Sequence, residues 1–240
     1  INERLNLKQK ILFEIGLKLA NVFVCQNEYQ YQMLKAKYPK KKITKIFNPI
    51  NTNIANNKKN AFENKSYYAW IGLFSKQKNL KDLFKIASKS LNSTFCIAGK
   101  AISLDDETSE YVNKLKELPN VKFVGFLKRS DILEFLSNAI ALINTSYYEG
   151  FSNTFLEAWK AGVPVISTIR VNPDNLITAH DLGYVCSDVD EQILKIDYLE
   201  KNKMQLLKHF NNKCESYVRE NHDSRIIAQQ LIEYLTNLPE

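Results

Sequence analysis

Short apolar runs recur along the chain, and between them apolar positions repeat at helical spacing. The runs at 21–25, 43–47, 67–72, 94–98, 121–124, 139–144, 163–167 and 184–186 are rich in Val, Ile, Phe and Tyr. Continuous runs of that length, without polar alternation, are what strands buried on both faces look like. Amphipathic stretches at 79–91, 107–117, 131–138 and 154–161 separate them. Strand and helix in alternation predict βαβ units, and so an α/β fold with a Rossmann-like parallel sheet and helices on both faces.

Local signals mark several helix starts. Asn79 stands three residues before Asp82, and Asp131 three before Glu134, both in an Asx form of the capping-box spacing. Residues 48–66 are polar, rich in Asn and without periodicity, and read as a linker. From 188 to 238 the pattern becomes wholly helical, with apolar spacing in MQLLKHF and IIAQQLIEYL. The chain opens without Met, inside what reads as a helix. The sequence therefore reads as a piece of a longer chain, with one unit on either side of the linker.

Composition narrows the class. Of 240 residues, 45% are hydrophobic and 25% charged, ordinary values for a globular chain. No apolar run approaches the roughly 20 residues that cross a bilayer. Cys25, Cys96, Cys186 and Cys214 are far apart and form no C-x-x-C pair. They read as reduced core thiols in a cytoplasmic setting. The net charge of +7 is unevenly placed. No acidic residue falls between Glu28 and Glu63, whereas Lys35, Lys37, Lys40, Lys41, Lys42, Lys45, Lys58 and Lys59 do. This stretch fits either a solvated surface or an anionic partner: a membrane surface at the inner face of the cell, a phosphorylated acceptor or nucleic acid. Aromatic residues do not interleave with the lysines as in nucleic-acid modules, so nucleic acid is not an expected partner.

In an open α/β sheet, ligands lie beyond the carboxyl ends of the strands. Two strand-to-helix loops stand out. The first is Gly72-Leu73-Phe74-Ser75-Lys76-Gln77-Lys78-Asn79, which places Lys76 and Lys78 where an anion at a helix N-terminus is reached. The second is Thr145-Ser146-Tyr147-Tyr148-Glu149-Gly150-Phe151-Ser152-Asn153, followed by a helix opening at Thr154. Gly150 permits a close backbone turn, and Ser152 or Asn153 is placed to cap the helix or to meet a ligand. Glu157 lies about one turn inside. Two carboxylates at one ligand-facing edge suit hydroxyl groups, and a sugar nucleotide offers hydroxyls at both ends with a diphosphate between. An exposed helix residue and a loop charge fit the same two positions.

The string SYYEGFSNTFLEAWKAGVPVIST resembles the signature of the family 4 (group 1) retaining glycosyltransferases of the two-domain GT-B fold. Glu149 and Glu157 stand at the family's spacing, followed by Ala158, Gly162, Pro164 and Val165. Asn48-Pro49, Gly72 with Lys78-Asn79, Gly99 and Gly125 match in the family's order. The resemblance implies a C-terminal donor domain that takes a nucleotide diphosphate sugar, such as a UDP- or GDP-sugar. In that reading a hexosyl group passes to a glycan or lipid-linked acceptor with retention, and no metal or other cofactor is needed. It implies that Glu149 meets the donor sugar while the amides of Gly150, Phe151 and Ser152 line sugar and phosphates. Glu157 would hold the ribose and Lys78 the diphosphate. Gly72, Lys76, Asn153 and Thr154 complete the expected donor site. Leu73 departs from the pattern, because the family commonly has Arg there as a second phosphate ligand. About 48 residues precede the Asn-Pro pair, too few for the family's acceptor domain. The resemblance thus implies residues 1–50 as the remnant or truncated end of that domain and 51–240 as the nucleotide-sugar-binding domain with C-terminal helices, so donor binding without turnover is expected of this chain. A non-catalytic binding module, and an epimerase or phosphorylase on the same fold, remain alternatives.

Other motifs carry less. Asp188-Val189-Asp190 reads as a helix start rather than a metal triplet. His180, His209 and His222 lack metal spacing and read as surface residues. Tyr147, Tyr148 and Phe151 fit stacking on a ligand as well as packing on the sheet. No G-x-G-x-x-G follows any strand, so the dinucleotide fingerprint is missing.

Overall fold

The structure, a computed structural model, describes residues 6–53, 65–101 and 105–237. Lys58, Lys59 and Glu63 of the basic stretch, most of the predicted linker and the last residue of the predicted helical tail lie outside these. The chain divides into two compact units between Phe47 and Asn48.

The first unit holds α1 (Leu7–Leu19), β1 (Val22–Cys25), α2 (Glu28–Lys37) and β2 (Lys42–Lys45), with β1 and β2 parallel. Asn6 and Gln9 close a capping box on α1, and Asn27 caps α2 by accepting from the Gln30 amide at 2.8 Å. Part of the basic stretch is engaged inside this unit. Lys37 pairs with Glu14 at 2.9 Å and Lys45 with Glu28 at 3.0 Å, and Lys41 donates to the carbonyls of Lys18 and Ala20.

The second unit runs β3 (Tyr67–Ile71), α3 (Leu80–Lys89), β4 (Phe95–Ala98), α4 (Asp106–Lys116), β5 (Val121–Gly125), α5 (Arg129–Ser137), β6 (Ala139–Ile143), α6 (Asn153–Lys160), β7 (Val165–Thr168), α7 (Leu176–Ala179), β8 (Gly183–Cys186), α8 (Val189–Lys201), α9 (Lys203–Asn221) and α10 (Ser224–Thr236). Its six strands form one parallel sheet in the order β5-β4-β3-β6-β7-β8. The chain builds outward from β3 in one direction, then returns to the other side of β3 with β6. That reversal falls between β3 and β6, the kind of point at which doubly wound sheets bind ligands.

Burial follows position in the sheet. Every residue of β4, β6 and β7 is buried, whereas β5, at an edge, is part-exposed. Helices cover the faces through apolar residues at helical spacing. Leu83, Ile86 and Ala87 of α3 are wholly buried, as are Leu207 and Cys214 of α9, with Phe210 and Val218 beside them. All four cysteines are free and buried, in agreement with the reading as core thiols. Gly162 ends α6 at φ 65°, and a Cβ there would lie 2.2 Å from Asn211 Oδ1 of α9. Only glycine allows helix and loop so close to α9.

Three local expectations are corrected. α5 begins at Arg129 with Lys128 at its cap position, so Asp131 sits inside the first turn and does not cap. Residues 48–53 are no free linker. The Ile50 amide donates to the His222 carbonyl at 2.8 Å, the Ser224 amide to the Ile50 carbonyl at 3.0 Å, and Thr52 bonds Asp223. At the far end of the same stretch Lys65 is buried, donating to the carbonyls of Ser137 and Ala139 at 3.0 and 3.1 Å. His222 is wholly buried rather than a surface residue. Its Nδ1 faces the Asn48 carbonyl oxygen at 2.9 Å, which fixes the proton there and leaves Nε2 to accept from the Tyr217 hydroxyl at 3.3 Å.

Candidate functional site

At the reversal the two loops named from the sequence are sewn together. The Tyr147 amide donates to the Gln77 carbonyl at 2.9 Å, and Gln77 Nε2 to the Tyr148 carbonyl at 2.8 Å. Thr145 Oγ1 donates to the Lys78 carbonyl at 2.8 Å and accepts from Trp70 Nε1 at 3.2 Å. These bonds fix the backbone of both loops before any ligand arrives.

Lys78 lies in a 3-10 turn, Lys76–Lys78, that follows β3. Asn79 closes that turn in the left-handed region at φ 52°, which Asn tolerates because its short amide bonds locally. Its side chain caps α3 by accepting from the Asp82 amide and donates to Asp82 Oδ2 at 2.6 Å. The turn lays the Lys78 chain against Gly72, where a Cβ would sit 3.3 Å from Lys78 Cε. Gly72 itself packs on β4, because a Cβ on Gly99 would lie 1.9 Å from the Gly72 carbonyl oxygen. The outcome is that the Lys78 ammonium meets the Glu149 carboxylate directly, with the two side chains only 19% and 13% exposed. Ser146 Oγ donates to the same Glu149 oxygen at 2.9 Å.

Behind Ser146 lies a buried polar network that the sequence reading did not assign to the site. Asn144 Oδ1 accepts from the Ser146 amide at 3.2 Å, and Gln192 Nε2 of α8 donates to the Asn144 carbonyl at 3.0 Å. The signal was present in the polar run Asn144-Thr145-Ser146 at the end of an apolar strand. Gln192 gave none, because its partner is 48 residues away.

The N-terminus of α6 carries no side-chain cap. Ser152 and Thr154 hydroxyls bond each other at 2.8 Å, and Asn153 Oδ1 accepts from Asn48 Nδ2 at 2.8 Å. Both capping candidates are thus engaged elsewhere, a correction to one of the two uses expected of them. The helix dipole and first-turn amides together make this end suited to an anion. Phe151 turns inward, 7% exposed, with its ring 5.5 Å from that of His222. Tyr147 and Tyr148 are 39% and 50% exposed, and Arg170 lies over the Tyr147 ring at 5.4 Å.

Glu157 is half-buried one turn further in. Burial raises its pKa, and the positive charges of Arg129 and Lys160 oppose the rise. Arg129 is a cation near the site that the sequence did not single out. Its signal was weak, since the basic pair Lys128-Arg129 reads as an ordinary loop. Lys76 lines a narrow cleft with Asn79, Glu107, Tyr111 and Tyr147, beside the Asp105 that caps α4. Leu73 is 41% exposed. Asp188 caps α8 through the Glu191 amide at 2.9 Å and Asp190 pairs with Lys89 at 2.8 Å, as expected of a helix start.

A parallel sheet that reverses between β3 and β6, with the Lys78–Glu149 pair and the start of α6 at that point, defines a doubly wound α/β domain. The sequence pattern of the glycosyl transferases group 1 family matches residues 51–220, and the chain belongs to that family. A glycosyltransferase 1 domain-containing protein of Xenopus tropicalis is 27% identical over 115 residues, 48% of this chain and 33% of that protein. An uncharacterized glycosyltransferase of Methanocaldococcus jannaschii is 24% identical over 173 residues, 66% of this chain and 42% of its own length. The chain therefore spans well under half of these curated relatives. Among solved structures, S. aureus TarM in a complex with fondaparinux, alpha-GlcNAc-glycerol and UDP superposes with a TM-score of 0.78 at 21% identity, covering 95% of this chain and 46% of that one. Anabaena HepE in complex with UDP and glucose gives 0.82 at 15% identity, covering 99% and 69%. The fold is that of the GT-B glycosyltransferases.

Proposed function

We propose that this chain binds the nucleotide diphosphate sugar, a UDP- or GDP-sugar, from which a retaining glycosyltransferase passes a hexosyl group to a glycan or lipid-linked acceptor. The observation that carries the reading is the meeting of Lys78 and Glu149 beside the uncapped N-terminus of α6. An anion and a hydroxyl-bearing group would both find partners at that point. The diphosphate would lie on the first-turn amides of α6, with Lys78 Nζ as counter-charge. Glu149 would accept from sugar hydroxyls, and the amides of Gly150, Phe151 and Ser152 would line sugar and phosphates. Asn153 and Thr154 open the helix beneath, and Glu157 would accept from the ribose. Gly72 leaves room for the Lys78 chain, and Lys76 adds positive charge nearby.

When the bond between the anomeric carbon and the diphosphate breaks, negative charge grows on the departing phosphate oxygen. Fixed amide dipoles and an ammonium aimed at that oxygen stabilise the growing charge without reorganising, which is a large rate factor in transfers of this kind. A single lysine delivers less than the lysine–arginine pair that the family commonly carries, because Leu73 brings no charge and an ammonium lacks the guanidinium fork. Leu73 favours the second reading, a donor-binding module with little turnover.

Titration calorimetry with uridine and guanosine diphosphates tests the assignment. One nucleotide should bind, and Glu157→Ala should weaken it about tenfold, the loss of a charged hydrogen bond to ribose. Absence of binding at millimolar nucleotide, together with an unaffected Glu157→Ala chain, would remove the site.

A further inference from the structure

We propose that Glu149 competes with the nucleotide for Lys78, so that the site holds a sugar nucleotide more tightly than the bare nucleotide diphosphate. The inference rests on the nucleotide-sugar reading above and adds a specificity role that contact with the sugar alone does not give.

The Lys78 ammonium lies directly on Glu149, and both side chains are largely removed from water. An arriving diphosphate needs the same ammonium. The backbone need not move to release it, because the loops are held by the bonds of Gln77, Thr145 and Tyr147, none of which involves the ion pair. The Lys78 chain packs beside Gly72, where an added Cβ would stand 3.3 Å from its Cε, and in this proposal its ammonium turns about the side chain's own bonds. Once Lys78 turns to phosphate, Glu149 keeps the Ser146 hydroxyl and loses its counter-charge. A half-buried carboxylate beside a phosphate is costly unless new donors reach it. The hydroxyls of a hexose are such donors, and a nucleotide diphosphate has none at that end. Glu149 thus works against whatever carries phosphate without sugar, including the product left after transfer.

The test compares wild type, Glu149→Gln and Lys78→Met by calorimetry with inorganic pyrophosphate, UDP and UDP-glucose, after thermal melts confirm folding. Glu149→Ala replaces Glu149→Gln should the latter melt early. Pyrophosphate makes the readout independent of the base. Removing the carboxylate should tighten pyrophosphate and UDP by about tenfold or more, the worth of one charged hydrogen bond, and should narrow the preference for UDP-glucose over UDP. Lys78→Met should weaken all three. A sugar-contacting glutamate with no competing role leaves UDP and pyrophosphate unchanged on substitution, and that result, or weaker binding, overturns the inference while the donor reading stands. Should folded wild type and Glu149→Gln both fail to bind any of the three, and GDP and GDP-mannose as well, the donor reading falls and the competition falls with it.

Discussion

Lys65 shows how a residue inside an unpromising stretch becomes decisive. It is 2% exposed, and its ammonium is satisfied by two carbonyls at the junction of α5 and β6. Burial pushes its pKa from the ordinary 10.5 down to about 8. The unfolded chain therefore holds this proton to higher pH than the folded one, and stability rises as pH climbs from about 8 toward 10.5. The shift corresponds to roughly 3 kcal/mol between the two protonation states. Melting temperature should increase between pH 7.5 and 9.5, and Lys65→Met should flatten that increase. Equal slopes in both proteins would contradict the assignment. The sequence could not reveal Lys65, because a lysine in a polar, Asn-rich run has no local mark of burial. Glu149, Glu157 and Lys78 were legible through spacing and the family string. That Lys78 bonds Glu149 was not, since 71 residues separate them and only the folded sheet brings them together.

At the scale of elements, the sequence was most informative where burial is continuous. All eight apolar runs became strands, with ends displaced by a residue or two, because the centre of a strand is set by packing and its ends by loop hydrogen bonds. Helix caps were less legible. Asn79 and Asp188 cap as their spacing suggests, yet Asp131 and the Ser152-Asn153 pair do not. In α6 the reason is local for Ser152, whose hydroxyl bonds that of Thr154, and tertiary for Asn153, whose side chain Asn48 draws off. The other end of α6 offers a clean test. Gly162→Ala must adopt φ 65° and push against Asn211, so it should destabilise the chain by roughly 1–3 kcal/mol in urea unfolding. A change below a few tenths of a kcal/mol would mean that α9 yields there.

For the molecule as a whole, alternation of strand and helix announces a parallel sheet but not the strand order. The order β5-β4-β3-β6-β7-β8 depends on which side of β3 the chain returns to, and no local pattern encodes that choice. Yet the place of the reversal follows from it, and the group 1 family match over residues 51–220 covers the elements on both sides of that point. Residues 1–47 form a separate unit, and their apolar helix α1 carries no buried residue. The central claim concerns the second unit alone, and a crystal structure of the chain soaked with UDP and GDP tests it most directly. The account predicts one nucleotide at the β3–β6 reversal, its phosphates on the α6 amides with Lys78 turned from Glu149 to phosphate, and its ribose hydroxyls on Glu157. A nucleotide bound elsewhere, or one at that point with Lys78 still on Glu149 and Glu157 untouched, contradicts it.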